Sequence, residues 1–213
     1  RRCNNPRPRY ENLFDVIAMA PEASADRIRL DPEKSVAKGI ELFMAHRFSK
    51  KFDWWLNYTL SSTEDTIDGQ DMYRNQDQRH AAKIALNYHP SERWDVNLTW
   101  HYHSGWPSTK VTAEYVDDGE GGQMIIPVVG DFYNERYPGY HRLDLRVNYR
   151  FPLMGGEFTA YIDVQNVYDR KNISGYSFED DPYRENPDGT VDFVPAEEEW
   201  LGILPSFGIK YSF

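Results

Sequence analysis

Alternation of apolar and polar residues with period two constrains this chain more than any other feature. Between residues 140 and 151, Leu143, Leu145, Val147, Tyr149 and Phe151 fall on one side of an extended chain; Arg142, Asp144, Arg146, Asn148 and Arg150 fall on the other. Successive side chains of a strand point to opposite faces, so this segment reads as a strand whose faces meet different media. The next segment repeats the pattern, with Phe158, Ala160, Ile162 and Val164 against Thr159, Tyr161, Asp163 and Gln165. Trp94, Val96, Leu98, Trp100 and Tyr102 oppose Asp95, Asn97, Thr99, His101 and His103. Ala82, Ile84, Leu86 and Tyr88 oppose Lys83, Asn87 and His89. Phe52, Trp54, Leu56, Tyr58 and Leu60 oppose Asp53, Asn57, Thr59 and Ser61, with Trp55 as an exception. Ile40, Leu42, Met44 and Phe48 oppose Glu41 and Arg47, with Phe43 breaking the order. Leu201, Ile203, Pro205, Phe207, Ile209, Tyr211 and Phe213 close the series.

Seven strands follow, and an eighth is expected near residues 9–14. Each is roughly twice the usual globular length of about 5–6 residues, and close to the 9–11 or so that cross a bilayer obliquely. The connections alternate too. Residues 49–51, 90–93 and 152–156 are short turns, whereas residues 65–75, 105–139 and 170–199 are long and rich in Gly, Pro, Asp and Glu. Aromatics gather at the strand ends of the apolar faces. Phe48, Phe52, Tyr88, Trp94, Tyr149, Phe151, Phe158, Tyr211 and Phe213 lie near the short turns; Tyr58, Trp100, Tyr102 and Tyr168 lie towards the long loops. A soluble β-sandwich explains the alternation. Only a membrane barrel wall explains the loop asymmetry and both aromatic girdles as well.

Composition narrows the classes. Mean hydropathy is −0.74, and no apolar run approaches the 18 or so residues of a transmembrane helix. The 32 aromatic residues (6 Trp, 15 Tyr, 11 Phe) argue against disorder. A net charge of −10 disfavours nucleic acid as a partner. The single cysteine, Cys3, allows neither an internal disulfide nor a cysteine-based zinc cluster. The chain opens on Arg1 without a signal peptide, so it is expected to be a piece of a longer protein.

The segments in order resemble the C-terminal third of a TonB-dependent outer-membrane receptor. Ala37-Lys38-Gly39-Ile40-Glu41-Leu42 is similar to a "kGiEl" strand start, and residues 52–65 (FDWWLNYTLSSTED) to the strand that follows it. Asp77-Gln78-Arg79-His80 and Ser104-Gly105-Trp106-Pro107 match polar and "sG.p" stretches around the next two strands. Tyr140-His141-Arg142-Leu143-Asp144-Leu145-Arg146 resembles "y.rlDlrv", Val164-Gln165-Asn166-Val167-Tyr168-Asp169 resembles "v.Nlfd", and the segment from Pro205 to Phe213 resembles the family's terminus. The resemblance spans about residue 27 to residue 213; each motif is weak alone, and their order and spacing carry it.

What the resemblance implies is an all-β, antiparallel transmembrane barrel of which these are about seven or eight of 22 strands, with short periplasmic turns and long extracellular loops. It places the chain in the outer membrane of a Gram-negative bacterium. The parent receptor would import a scarce ligand of the iron-siderophore, cobalamin or glycan class with energy supplied by TonB. Residues 1–213 would then be the C-terminal portion of the barrel domain, with the plug and the first strands elsewhere. Expected partners are that plug and the remaining strands, the TonB complex through the plug, the barrel-assembly machinery, and outer-membrane lipid and lipopolysaccharide. No nucleic acid is expected.

The polar faces supply the candidate residues. Arg142, Asp144, Arg146, Asn148, Arg150, Asp163, His101 and His103 are expected to face the lumen. Their charges suit contact with a plug or an anionic ligand, or salt bridges across neighbouring strands, Asp163 being one partner. His101 and His103 share a face at i, i+2, but spacing supplies no third ligand, so no metal is assigned. Residues 171–199 carry nine acids against Lys171 and Arg184, without the spacing of a calcium loop; they read as a solvated outer loop, bridged to lipopolysaccharide by divalent ions in one reading. The apolar run Met124-Ile125-Ile126-Pro127-Val128-Val129 beside Gly119, Gly121 and Gly122 reads as a loop hairpin able to touch ligand. No nucleophile elbow or metalloprotease motif occurs, so neither catalysis nor a cofactor is expected. Tyr211 and Phe213 are the expected signal for barrel assembly. The competing readings are a soluble β-rich module that binds glycans through exposed aromatics, and a barrel hydrolase.

Overall fold

The computed structural model describes residues 32–177 and 182–213. The expected strand near residues 9–14, Cys3, and the acids Glu179, Asp180 and Asp181 lie outside them. Among the described residues there is no helix. In chain order the strands are β1 (Lys34–Ser49), β2 (Phe52–Ile67), β3 (Gln70–Tyr73), β4 (His80–Ser91) and β5 (Trp94–His103). A first long loop carries β6 (Pro107–Ser108), β7 (Val111–Asp117), β8 (Gln123–Val129) and β9 (Glu135–Arg136). Then follow β10 (Tyr140–Leu153) and β11 (Gly156–Gln165). A second long loop holds β12 (Ile173–Ser177), β13 (Tyr183–Glu185), β14 (Val191–Phe193) and β15 (Ala196–Glu199), before β16 (Leu204–Ser212).

One antiparallel sheet, in the order β1-β2-β4-β5-β10-β11-β16, forms a wall in which every strand lies beside its sequence neighbour in that series. Among the described residues it does not close, and β1 and β16 are its two edges. All seven expected strands are present. Two are longer than the alternation indicated, because β1 begins at Lys34 and β2 runs to Ile67. Their extra turns of ladder are polar and belong to a hairpin that stands clear of the apolar band. Residues 65–75, expected as loop, are the end of β2 and a return strand, β3, joined by Asp68 and Gly69. Both have positive φ (51° and 75°), as a two-residue mirror-image turn requires. Met154 (φ 54°) and Gly155 (φ 80°) make the same turn between β10 and β11. The last strand starts at Leu204, three residues later than Leu201.

Register fixes the faces. Leu86 pairs with Leu98, Leu98 with Leu145, and Leu145 with Val164, giving one apolar row across the wall. On the other face Asn87, Asn97, Arg146, Asp163 and Ser206 form the corresponding polar row. Exposure is the reverse of a soluble sheet. Ile40 is 72% exposed, Ile162 59%, Phe207 87% and Ile209 71%, while Ala85, at 1%, lies on the polar face. Among the described residues no second layer covers the apolar side, and an exposed patch of this extent marks a surface that meets something other than water. Ten residues at about 3.3 Å each, tilted about 45°, rise about 23 Å, which matches the apolar band of a barrel.

The rings at the turn side are in contact along the wall. Trp94 and Tyr149 lie 4.6 Å apart between centroids, Phe151 and Phe158 5.6 Å, Phe158 and Tyr211 4.5 Å, and Tyr211 and Phe213 5.9 Å. The loop-side girdle is joined by two histidines. Tyr58 Oη lies 2.8 Å from His80 Nδ1, and Tyr168 Oη 2.6 Å from His141 Nδ1.

Candidate functional site: the polar face and its loop-side cavity

The pleat sends every second residue of β2, β4, β5, β10 and β11 to one face, and a long strand with this pattern has no other way to segregate its charges. His101, His103, Arg142, Asp144, Arg146, Asn148, Arg150 and Asp163 all lie on that face. Towards the turns the charges pair with one another. Arg150 binds the Asp95 carboxylate and donates to the Glu92 carbonyl at 3.1 Å. His89 sits between Asp95 (2.6 Å) and Asp53 (3.5 Å). Arg146 pairs with Asp163 at 3.3 Å, donates to Asn148 at 3.1 Å, and lies 4.3 Å above the Tyr161 ring. An amide ladder runs across the middle, from Asn87 to Asp53 at 2.7 Å, Asn97 to Asn87, and Thr99 to Asn97 at 2.8 Å.

Towards the loops the pairing thins and a cavity of about 460 Å³ opens on the same face. Its floor comes from the wall: Asn57, Thr59, Lys83, His101 and Arg142. His103 stacks on Tyr140 (4.7 Å) and on Trp106 (5.4 Å), and Trp106 meets Trp200 edge to face at 6.2 Å. One tryptophan thus comes from each long loop. Lys83 lies 5.5 Å above the Trp55 ring, and no carboxylate pairs with it among the described residues. Arg142 shares Asp144 with His101 (3.2 Å and 3.4 Å) and donates to Gln165 at 3.2 Å. Among the described residues no Asp or Glu lines the cavity. Trp55, which breaks the alternation of β2, therefore has a place: it is the ring beneath Lys83.

The loops are tied to the wall by polar side chains, of which Asp77, Asn166 and Asn172 are buried. Asp77 accepts from the Thr63 amide at 2.6 Å and forms an ion pair with Arg136. The same guanidinium donates to the Asp77 carbonyl (3.0 Å) and the Gly105 carbonyl (3.1 Å), and lies 4.7 Å above the Tyr73 ring. A side chain at Gly105 would collide with the Tyr137 backbone, so the chain crosses itself there only as glycine. Asn166, with φ 53°, donates to the Arg170 carbonyl at 2.9 Å and accepts from its amide at 3.1 Å. Asn172 mimics a strand residue, bonding the amide and the carbonyl of His141 at 3.0 Å each. Asp169 accepts from the Ile203 amide at 2.8 Å and so sets where β16 begins.

The two long loops also meet. β14 lies against β7, and Tyr137 stacks with Tyr176 at 5.1 Å. Desolvation, with a hydrogen bond to Glu185, raises the pKa of the Tyr115 phenol. The apolar run from Met124 to Val129 forms the second strand of the β7–β8 hairpin, as expected. Its tip is closed by Asp118, which accepts from the Glu120 and Gly122 amides at 2.8 Å and 2.9 Å.

Sequence reasoning gathered the charged row and the two histidines. It missed the aromatic half of the cavity, Lys83, and the Asp77–Arg136 tie. Trp106 and Gly105 stood in a quoted motif, which was the available signal; nothing in the sequence aligned Asp77 with a residue 59 positions away. His101 and His103 share a face but not a partner, since His101 faces Asp144 and His103 Nδ1 faces the Ser104 carbonyl at 2.9 Å. Among the described residues no group of three or more His, Cys, Asp or Glu is placed to hold a metal ion.

A family model described as TonB dependent receptor-like, beta-barrel matches residues 9–167, well over half of the chain. No curated protein matches it.

Proposed function

The chain belongs to the TonB-dependent receptor β-barrel family, and from that premise we propose that it supplies the C-terminal barrel wall and outer loops of a receptor that binds and imports a scarce ligand. Residues 1–213 are then part of one barrel domain, whose remaining strands and plug complete it. The wall stands in the outer membrane of a Gram-negative bacterium, with the short turns in the periplasm. TonB supplies energy through the plug. The polar face with Arg142, Asp144, Arg146, Asn148, Arg150, Asp163, His101 and His103 is the lumen wall. Tyr211 and the fully exposed Phe213 are the segment read by the assembly machinery. Lipid and lipopolysaccharide contact the apolar face and the loops.

The observation that carries this reading is the inverted wall. Among the described residues its apolar side is uncovered, while its polar side holds paired charges and, under the loops, a cavity lined by rings and cations. A soluble glycan-binding module would need a second layer over the apolar side. A hydrolase would need a nucleophile with its base, and the polar groups of the cavity are not arranged so. Membrane fractionation and uptake test it together. The full-length chain is expected in the outer-membrane fraction, and its loss and the loss of TonB are expected to abolish uptake of the same nutrient. Full solubility without detergent would sink the membrane reading; uptake indifferent to TonB would sink the import reading.

A further inference from the structure

The cavity under the two tryptophans has a composition that the chain as a whole does not. Acids outnumber bases 34 to 24 in the sequence, yet among the described residues no carboxylate lines this cavity, and Lys83 and Arg142 do. Lys83 is held over Trp55 without a carboxylate partner among the described residues. Arg142 shares its one carboxylate, Asp144, with His101. Lys83 is exposed on the cavity floor, and an ammonium with no carboxylate beside it is open to an incoming anion. The rings define the rest of the shape. His103 stacks between Tyr140 and Trp106 with interplanar angles of 7° and 26°, and Trp200 closes on Trp106 at 69°. Flat rings set side by side with cations below offer a stacking face and a charge contact to one ligand at once.

We propose that the cavity between the polar face of β2, β4, β5 and β10 and the loop tryptophans Trp106 and Trp200 binds a ligand that presents a stackable ring face and an anionic group. This rests on the receptor reading above and narrows it, away from neutral ligands. Lys83 is the principal anion contact and Arg142 the second; Trp106 and Trp200 supply the stacking faces. The volume, about 460 Å³, suits one such moiety of a larger cargo. A ring face that stacks on aromatic side chains, joined to an anion, is shared by aromatic acids (a planar ring) and acidic sugars (the C–H face of a puckered ring), and the test separates them.

Equilibrium binding is measured on the full-length chain in detergent with benzoate and glucuronate as anionic probes, and benzamide and methyl glucoside as their neutral counterparts. At least one anion is expected to bind saturably in the millimolar range, and its neutral counterpart to bind at least about fivefold more weakly. Lys83→Gln is expected to weaken the anion by a similar factor, and Lys83→Arg to restore it. Preference for benzoate assigns an aromatic acid, preference for glucuronate an acidic sugar. Equal binding of charged and neutral probes, no saturable binding of either anion, or indifference to Lys83→Gln would each overturn the proposal. Should that variant not fold, ionic strength decides on the unaltered protein, since added salt must weaken an anion held by charge. Outer-membrane location and TonB-dependent uptake are read separately, so a neutral-ligand result removes the ligand class and leaves the receptor reading standing.

Discussion

Asp77 and Arg136 are the residues on which the first long loop depends. The carboxylate is fully buried, and every bond to it comes from the Thr63 amide or the Arg136 guanidinium. Removing Arg136 as Arg136→Met leaves that charge without its partner, a loss of about 3–5 kcal/mol for a buried pair. The wall strands do not share it, so the expected outcome is local: residues 104–139 become sensitive to protease while the barrel keeps its resistance. Adding Asp77→Asn should recover part of the protection, and a double variant no better than the single would refute the coupling. Asp118 makes a second case at the tip of β7–β8. Hydrogen bonds from the Glu120 and Gly122 amides hold its pKa below the usual carboxylate value of 3.8. A depressed folded value means the bonds contribute fully above the unfolded pKa and are lost as pH falls through the folded one. Amide-exchange protection at Glu120 and Gly122 is therefore expected to persist from pH 6 down past 3.8 and to fall away only below it. Protection lost already at or above pH 3.8 would remove the cause. Neither pair was legible in the sequence. A buried ion pair between loops depends on a meeting in space that no local period encodes, whereas His101 and His103 fell on one face by parity alone.

The wall strands were legible because each had to solve the same two-sided problem. β5 sorts Val96, Leu98 and Trp100 from Asn97, Thr99 and His101 without error, and the structure keeps that division across four strands. Where the medium changes, the signal stops. The start of β1 and the end of β2, Lys34 to Lys38 against Ser62 to Thr66, have polar residues on both faces, so their ladder was invisible to alternation. The same reasoning predicts what substitutions cost. Leu98 lies in the middle apolar row between Leu86 and Leu145. Leu98→Arg puts a charge at the bilayer midplane, at about 2–4 kcal/mol. Ser206→Lys, opposite Asp163 on the polar face, should change stability by no more than about 0.5 kcal/mol. Unfolding in lipid vesicles checks the contrast. Equal costs at the two positions would mean the faces do not meet different media.

At the scale of the whole sheet, the two edges decide what the chain can do by itself. β1 and β16 each present one side with no partner strand among the described residues, and hydrocarbon offers no water to those amides and carbonyls. Curling the seven strands until the edges meet would make a barrel whose interior is only just filled by side chains. The polar face is too heavily furnished for that. Arg142, Arg146 and Arg150 from one strand and Trp55, Lys83 and Tyr161 from others already reach across it. A wide barrel lets these groups keep their lateral partners and leaves the loop-side cavity open. Refolded into lipid vesicles, residues 32–213 are therefore expected to give no heat-resistant monomer on a detergent gel, and to form higher species through edge pairing. Co-refolding with the strands proposed to complete the barrel should convert those species into one compact band. A stable, protease-resistant monomer of residues 32–213 would mean the sheet closes on itself, and the wide lumen with its cavity would have to be abandoned.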